Sequence, residues 1–265
     1  MQNASPTLID LAAALNGRGG LKVWSLIVTL MGDRLRLNAG AIQNRDLTAI
    51  LGLLGITPQA IRVAVHRLRR DAWIITEKSG RMSCYSLTQD AATKTIAVAD
   101  LVYETPADAP NQLQLVVVDP RGEQISQEAP TQNDSIFWIG QNTGLRMCAN
   151  SDDAQLLATV ERAALPRWIV EKADHAAKID DLIWLSGFLT SLAQHDPQLD
   201  VDVHAARLLA LHAWRRFILR SNLLAILAGS HVNLFQECRA QFQTLMRRYQ
   251  PTSEHPADAT VERHI

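Results

Sequence analysis

Three stretches near the start of the chain repeat apolar residues every three or four positions, which is the period of an α-helix. In the first, LKVWSLIVTLMG, the apolar residues share one face of the helix, and they are Leu21, Trp24, Ile27, Val28 and Met31. Gly32 is expected to end this helix. The second stretch is NRDLTAILGLL, residues 44–54, which Gly55 ends. Thr57 and Pro58 open the third, because Thr is a good N-cap and Pro is tolerated at the first helical position.

The period changes after Trp73, where WIITEKSGRMSCYSLT alternates as a strand, a tight turn and a second strand. Ser79 and Gly80 form the two-residue turn signal between β-branched and aromatic runs. Three helices followed by a hairpin outline a winged helix-turn-helix over residues 20–90. Residues 1–19 precede it as a short extension, with a helix over LIDLAAAL for which Ser5, Thr7 and Asp10 are candidate caps.

The remainder of the chain predicts an α+β multidomain protein. LTQDAATKTIAVADLVYE is expected to be one connecting helix, and TPADAPN a linker. The connecting region between the winged helix and the middle domain is assigned to residues 91–110. Strand patterns in LQLVVVD, SIFWIG and GLRMCA, around the polar loop PRGEQISQEAPTQNDS, favour a small α/β middle domain over residues 111–165.

From Asp152 onward the pattern is helical, in the segments AQLLATVERAAL, AAKIDDLIWLSGFLTSLAQ, HAARLLALHAWRRFILRSNLLAIL and LFQECRAQFQTLMRRY. These segments predict a helical domain over residues 166–250. Residues 251–265 are expected to be a flexible tail.

Charge is distributed unevenly along the chain, although its formal net charge is only -1. Residues 1–90 hold 11 Lys and Arg against 6 Asp and Glu, whereas the remainder is acidic. A basic segment of this kind is typical of a protein that meets a polyanion.

Composition narrows the class of protein. The chain has no apolar run of 18 residues and no secretory signal pattern, which predicts a cytoplasmic protein without a membrane partner. The three scattered cysteines predict neither a disulfide framework nor a zinc site.

The third helix combines an apolar back with a basic front. Ile61, Val65 and Leu68 share the face expected to pack on the first two helices. The opposite face, flanked by Arg67 and Arg69, carries Gln59, Arg62, Val63, His66 and Arg70. Arg reads guanine and Gln reads adenine by bidentate hydrogen bonds in the major groove, so the residue types suit a recognition helix. The alternative is an ordinary solvated helix face.

The predicted DNA contacts include the helix and the wing. Arginines near the helix end and polar residues of the hairpin would bind phosphates, which position a domain without reading sequence. The complete set of candidates is Thr57, Gln59, Arg62, His66, Arg67, Arg69, Arg70, Lys78, Arg81 and Ser83.

Four stretches of the chain resemble the PaaX-type family, the repressors of phenylacetic acid degradation. The resemblance is specific in WSLIVTLMGDRLR, LLGITPQAIRVAVHRLRRDAWI and GRMSCYSLT, and fair in HAWRRFILRSNLL. It implies a winged helix, a ferredoxin-like middle domain and a C-terminal helical domain that serves effector binding and dimerisation. It further implies a homodimer that binds double-stranded DNA at a palindromic operator, with the effector phenylacetyl-CoA or another acyl-CoA. On this resemblance Gln59, Arg62, His66 and Arg67 lie on the recognition surface and Arg81 on the wing.

The chain departs from the family pattern at several positions. His66 stands where the family usually has Ser, and Met82 and Cys84 replace more polar wing residues. The stretch PRGEQISQEAPTQNDS replaces a helix with arginines. A trimmed middle domain and a different effector are therefore alternatives.

Two further clusters are candidate sites. Trp214, Arg215, Arg216 and Arg220 join basic and aromatic side chains suited to a CoA-type effector, although Trp214 and Phe217 fit a hydrophobic core equally well. HDPQLDVDVH, residues 195–204, holds imidazoles and carboxylates that a divalent metal accepts, but an interhelix loop with Asp202 as a cap is the favoured interpretation. We expect no metal and no cofactor.

The sequence favours a ligand-responsive dimeric repressor of an aromatic-acid catabolic operon. One alternative is a protein-interaction module that reuses a winged helix without specific DNA binding. An acyl-CoA enzyme is a third hypothesis, but the chain contains no P-loop, GxGxxG, GxSxG or HExxH motif, and we expect no catalytic residues.

Overall fold

The computed structural model describes residues 6–19, 21–79, 82–104, 111–118, 136–147 and 155–252. The predicted linker, the polar loop after residue 118 and the tail from residue 253 lie outside the described residues. Within these ranges the chain forms helices and two small antiparallel sheets, which confirms an α+β protein. The chain divides into two compact units. The first contains Met1–Thr105, Gly187–Arg216 and Ala240–Ile265, and the second contains Pro106–Ser186 and Phe217–Arg239.

The first part of the chain contains six helices and three strands among its described residues. The helices are α1 (Leu8–Gly17), α2 (Val23–Arg36), α3 (Asn44–Gly52), α4 (Pro58–Arg70), α5 (Gln89–Ile96) and α6 (Ala99–Tyr103). The strands are β1 (Ile42–Gln43), β2 (Ile74–Ser79) and β3 (Met82–Leu87). They pair antiparallel in the order β1-β3-β2. Strands β2 and β3 form a hairpin that follows α4 directly in the chain.

Local capping fixes the starts of two of these helices. Thr7 and Asp10 form a capping box at α1, in which each side chain bonds to the other residue's backbone N–H. At α4 the Thr57 hydroxyl accepts a hydrogen bond from the Ala60 N–H at 3.3 Å, and Pro58 is the first helical residue. These helix starts, and the two strands of the hairpin, are confirmed. The turn predicted at Ser79 and Gly80 is shifted, because Ser79 belongs to β2 and pairs with Met82, and Gly80 lies outside the described residues.

The prediction that α2 ends at Gly32 is wrong, because the helix continues to Arg36. A Cβ at Gly32 would lie 2.7 Å from Thr95 Cγ2 of α5, which is closer than real Cβ contacts. The glycine therefore allows two helices to approach closely within the first unit and does not terminate a helix. The connecting helix was also predicted as one element, but it is divided into α5 and α6.

Four strands of the second unit form the other sheet. They are β4 (Gln112–Val118), β5 (Phe137–Trp138), β6 (Thr143–Arg146) and β7 (Gln155–Glu161). Their order is β5-β6-β4-β7, and all neighbours are antiparallel. The helix predicted over AQLLATVERAAL is wrong, because its first part is β7. Backbone pairing with β4 in register, for example Leu115 with Ala158, selects the strand.

Five helices follow a short 3-10 turn at Arg162–Ala164. They are α7 (Arg167–Ala176), α8 (Ile179–Ala193), α9 (Asp200–Ile218), α10 (Leu223–Ala228) and α11 (Val232–Arg248). The single helix predicted across the segment HAARLLALHAWRRFILRSNLLAIL is wrong, because Asn222 begins α10 by accepting a hydrogen bond from the Ala225 N–H. None of the helices in the described ranges is long and apolar enough to cross a membrane.

The core of the first unit is built around α9. Every residue from 204 to 214 is buried, including three polar ones, His204, Arg207 and His212. Helix α9 therefore contributes a core element to the same compact unit as α4, from a position far along the chain.

Candidate nucleic-acid interface

Helix α4 has two faces of opposite character. Its buried residues are Ile61, Ala64, Val65 and Leu68, which confirms the predicted apolar back. The residues expected on the front are all exposed, namely Gln59, Arg62, Val63, His66 and Arg70. Val63 is 60% exposed although it is apolar, and it lies among these cations. A Val side chain in this position suits contact with a thymine methyl group, because apolar side chains recognise that group in the major groove.

Two polar side chains at the start of α4 are joined to each other. The guanidinium of Arg62 donates to Gln59 Oε1 from Nε at 3.2 Å and from Nη2 at 2.7 Å. Both residues are exposed, one helical turn apart. The pair holds an amide and a guanidinium side by side, and these are the groups that recognise adenine and guanine edges.

The arginines at the end of α4 share one acidic neighbour. Asp71 Oδ1 lies 3.0 Å from Arg70 Nε, and Asp71 Oδ2 lies 3.5 Å from Arg67 Nε. The hydrogen bond from Arg70 lowers the pKa of Asp71, so this carboxylate is charged at neutral pH. The Arg67 guanidinium also lies 5.6 Å from the centre of the Trp24 ring, which orients it by a cation–π contact.

The hairpin continues the basic surface of α4. A surface cavity of about 520 Å³ is lined by three residues of α4 and the start of β2, namely His66, Arg69, Arg70, Ile74, Ile75 and Thr76. Lys78 on β2 is exposed, and Ser83 on β3 is half-buried. Arg81 lies outside the described residues. The helix and the wing thus supply adjacent cations to one surface.

Thr57 has a structural task in addition to its predicted DNA contact. Its hydroxyl caps α4, as described above, and its side chain is exposed. The hydroxyl hydrogen does not take part in the cap, since the oxygen is the acceptor there. A capping threonine can therefore donate to a phosphate without losing the cap.

The residues of the candidate effector cluster lie in different environments. Trp214 is fully buried, its Nε1 donates to the Val102 carbonyl at 2.7 Å, and its ring stacks on Phe242. Arg216 Nη2 donates to the Arg18 carbonyl at 2.7 Å. Trp214 thus occupies a core position, as the alternative interpretation of this cluster had it.

The other two members of the cluster, Arg215 and Arg220, have different surroundings. Arg215 lines a cavity of the first unit, and burial lowers the pKa of its guanidinium. Arg220 belongs to the second unit and is exposed, with its carbonyl accepting from Lys178 Nζ. The predicted set of four is therefore not a single group of side chains facing one space.

The acidic residues of segment 195–204 accept hydrogen bonds from the start of α9 and from the residues after α11. Asp202 Oδ2 accepts hydrogen bonds from the backbone N–H groups of Gln198 and Leu199, and Asp200 Oδ1 accepts from the Thr252 hydroxyl at 2.8 Å. Across the described ranges, no group of His, Cys, Asp and Glu side chains could hold a metal ion.

A buried polar network in the first unit escaped the sequence analysis. Arg207 of α9 donates to both oxygens of Asp33 of α2, and the Tyr103 hydroxyl donates to Asp33 Oδ1 at 2.9 Å. A second link joins Thr29 Oγ1 to His212 Nδ1 at 2.9 Å. The only signal in the sequence was a charged residue within an apolar helical pattern, and this signal does not identify the partner.

Comparison with known proteins shows a sequence similarity in the N-terminal part of the chain. Residues 22–91 match the family model of PaaX-like proteins. The transcriptional repressor PaaX of Escherichia coli (strain K12) is 35% identical over 85 residues, which cover 31% of this chain and 27% of that repressor. The match therefore spans about a quarter of the curated relative's length.

A solved structure, the uncharacterized protein Rv0674 from Mycobacterium tuberculosis, is similar at 13% identity and a TM-score of 0.43. The similarity covers 85% of this chain and 95% of that one. The matched segment 22–91 contains the whole of α2 to β3, including the exposed face of α4. The similarity of the chain to PaaX-like proteins therefore rests on residues 22–91.

Proposed function

We propose that this chain is a DNA-binding transcriptional repressor that reads its operator with helix α4. The observation that carries the proposal is the exposed front of α4, where Gln59, Arg62 and His66 lie over a fully buried apolar back. An amphipathic helix of this composition, followed at once by a hairpin, suits insertion into the major groove. The similarity of residues 22–91 to PaaX-like proteins supports the same assignment.

The proposed contacts divide into two kinds. Gln59 and Arg62, near the N-terminus of α4, would contact base edges, since that end of a recognition helix enters the groove. Arg67, Arg69, Arg70 and Lys78 would bind phosphates on either side and set the register. The cation–π contact with Trp24 would hold Arg67 towards the backbone of the DNA.

The proposal also includes a homodimer and a small-molecule effector. A homodimer would place two copies of α4 in successive major grooves of a palindromic operator, about 34 Å apart. An aromatic-acid effector, phenylacetyl-CoA or another acyl-CoA in the resemblance to PaaX-type proteins, would shift the population towards a geometry that no longer fits both grooves.

The middle of the chain supports the ferredoxin-like assignment. The strand order β5-β6-β4-β7 puts the first strand between the third and the fourth, with all neighbours antiparallel. This is the strand order expected of a split βαβ arrangement.

The test is binding of the full chain to the DNA upstream of its own gene, measured by fluorescence anisotropy at several salt concentrations. Arg62→Ala is expected to weaken specific binding by roughly 1–3 kcal/mol, or about 5- to 150-fold, if it contacts a base. Arg69→Ala is expected to weaken binding to specific and to nonspecific DNA about equally. The slope of log affinity against log salt concentration should fall in magnitude by about one.

Arg167→Ala is the matched control, because Arg167 is an exposed arginine whose Nε bonds to Glu171 in the second unit. It should bind DNA as the wild type does. The proposal would be contradicted if the wild type bound operator and random DNA with equal affinity and if footprinting across the genome found no protected palindrome. That outcome would favour a protein-interaction module.

A further inference from the structure

A cavity of about 410 Å³ lies within the first unit, between helices α2, α5, α6 and α9. Its wall is largely apolar, with side chains such as Val28, Leu35, Val98, Val102 and Leu211. Cavities of about 300–1,000 Å³ with apolar walls and a few polar groups are typical of small-molecule sites.

One cation in the cavity wall lacks an acidic partner. Arg215 follows Leu211 by one turn of α9 and is half-buried. Among the residues that the structure describes, no carboxylate lies within ion-pair distance of its guanidinium, and no hydrogen bond to it is formed. Burial lowers the pKa of Arg215, because its guanidinium has lost part of its water. A half-buried cation is costly unless an anion pairs with it.

The other charged groups around the cavity are already accounted for. Asp33 is neutralised by Arg207, and it also accepts from the Tyr103 hydroxyl. The Arg36 guanidinium lies over the Tyr103 ring, 4.3 Å from its centre. Asp100 and Glu104 are exposed to water. The desolvated charge left for a ligand is therefore positive.

We propose that this cavity binds a small organic acid, with its carboxylate on Arg215 and its apolar body against α2, α5 and α6. Arg pairs with a carboxylate by two parallel hydrogen bonds, and such charge-assisted bonds are strongest where water is excluded. The volume lies near the lower end of the range for ligand pockets, which suits a free acid. This acid is a ligand distinct from the acyl-CoA effector of the proposed function.

The position of the cavity gives the ligand a route to the reading helix, and this step rests on the proposed function. Helix α2 forms one wall of the cavity and also packs on α4. An acid that shifts α2 changes the support of α4. By linkage, DNA must then weaken acid binding by the same factor by which the acid weakens DNA binding.

The test is isothermal titration calorimetry of the full chain, without DNA, against benzoate, cinnamate and octanoate, and against the neutral cinnamamide. We expect at least one acid to bind with a Kd below about 1 mM, and cinnamamide to bind at least about tenfold more weakly than cinnamate. Arg215→Met should reduce the affinity for the acid by about tenfold or more and leave the amide unchanged. Arg247→Met is the control, because Arg247 is an exposed arginine that does not line the cavity, and it should bind as the wild type does.

A second variant keeps the test decisive if Arg215→Met does not fold. Ala99→Trp fills the cavity and leaves Arg215 in place, and it should abolish binding of both the acid and the amide. Failure of all three acids to bind the wild type, or undiminished binding to Ala99→Trp, would overturn the proposal. Tighter binding of benzoyl-CoA than of benzoate, lost in Ala99→Trp, would also overturn it in favour of a thioester. Because no DNA is present, none of these outcomes depends on operator binding.

Discussion

Arg207 and Asp33 form a buried, doubly hydrogen-bonded ion pair between helices α9 and α2. Arg207 Nε lies 2.6 Å from Asp33 Oδ2, and Arg207 Nη2 lies 2.9 Å from Asp33 Oδ1. Arg207 Nη1 also donates to the backbone carbonyl of Met246 at 2.7 Å. One guanidinium thus connects α2 to two helices from the C-terminal part of the chain, within the first unit.

Asp33→Ala is expected to destabilise the protein by about 3–5 kcal/mol, because it leaves the Arg207 charge buried without its partner. The double variant Asp33→Leu/Arg207→Met should lose less than the sum of the single changes, since it removes both charges. Urea unfolding of the three variants measures the coupling. Asp90→Ala is the control, because its ion pair with Lys94 is exposed, and it should cost no more than about 1 kcal/mol. A loss at Asp33 no larger than this would contradict the assignment.

Tyr103 should make stability depend on pH in the alkaline range. Burial, and then the Asp33 carboxylate, raise the pKa of Tyr103 well above its usual value of 10.0. The folded state therefore keeps the proton that the unfolded chain releases, so this contribution is complete below about pH 10 and is lost as pH rises above it.

Tyr103→Phe cannot ionise at this position and also lacks the hydrogen bond to Asp33. It should be about 1 kcal/mol less stable than the wild type near neutral pH, and the difference should shrink above about pH 10. Urea unfolding in matched buffers measures both values. A difference that stays constant up to about pH 11 would show that Tyr103 ionises as readily in the folded state as in the unfolded one.

Gly32 should tolerate a methyl group only if Thr95 gives way. Gly32→Ala is expected to destabilise the protein by roughly 1–3 kcal/mol, because the new Cβ meets Thr95 Cγ2. Thr95→Ser removes that methyl and keeps the hydroxyl, which donates to the Ala91 carbonyl. The double variant should recover most of the loss, as thermal unfolding would report. A double variant as unstable as Gly32→Ala would place the cause elsewhere.

The cysteines should differ in reactivity. Cys238 is fully buried, and burial raises its pKa from 9.0 to about 11, whereas Cys84 is half-buried. In a Cys148→Ser background, a thiol reagent at about pH 8 should modify Cys84 first and Cys238 only as the protein opens, because the thiolate is the reactive form. Mass spectrometry of each peptide measures the two rates, and equal rates in folded protein would contradict the burial of Cys238.

Local signals were sufficient to predict α4 from the sequence. Thr57, Pro58 and the spacing of Ile61, Val65 and Leu68 act within one or two turns, so they identify the start of the helix and its buried face. The exposed front of α4, with its candidate DNA contacts, follows from the same periodicity.

Predictions failed where a distant contact decides the outcome. Leu156, Leu157 and Val160 fit a helix or a strand, and only pairing with β4 selects the strand. Gly32 has the sequence signature of a helix end, yet its role is the close approach of Thr95, 63 positions away. The ion pair of Asp33 joins residues 174 positions apart, which no local pattern encodes.

The discontinuous make-up of the first unit has a consequence for the newly made chain. Helix α4 is complete by residue 70, but Arg207 and Trp214, which bind Asp33 and the Val102 carbonyl, are translated much later. At about 5–20 residues per second, the ribosome needs roughly 7–28 s to pass from residue 105 to Met246 of α11, whose carbonyl Arg207 binds. During that interval a nascent chain carries α4 without the C-terminal half of its support. Under the proposed function, only a finished chain would therefore bind an operator with full affinity.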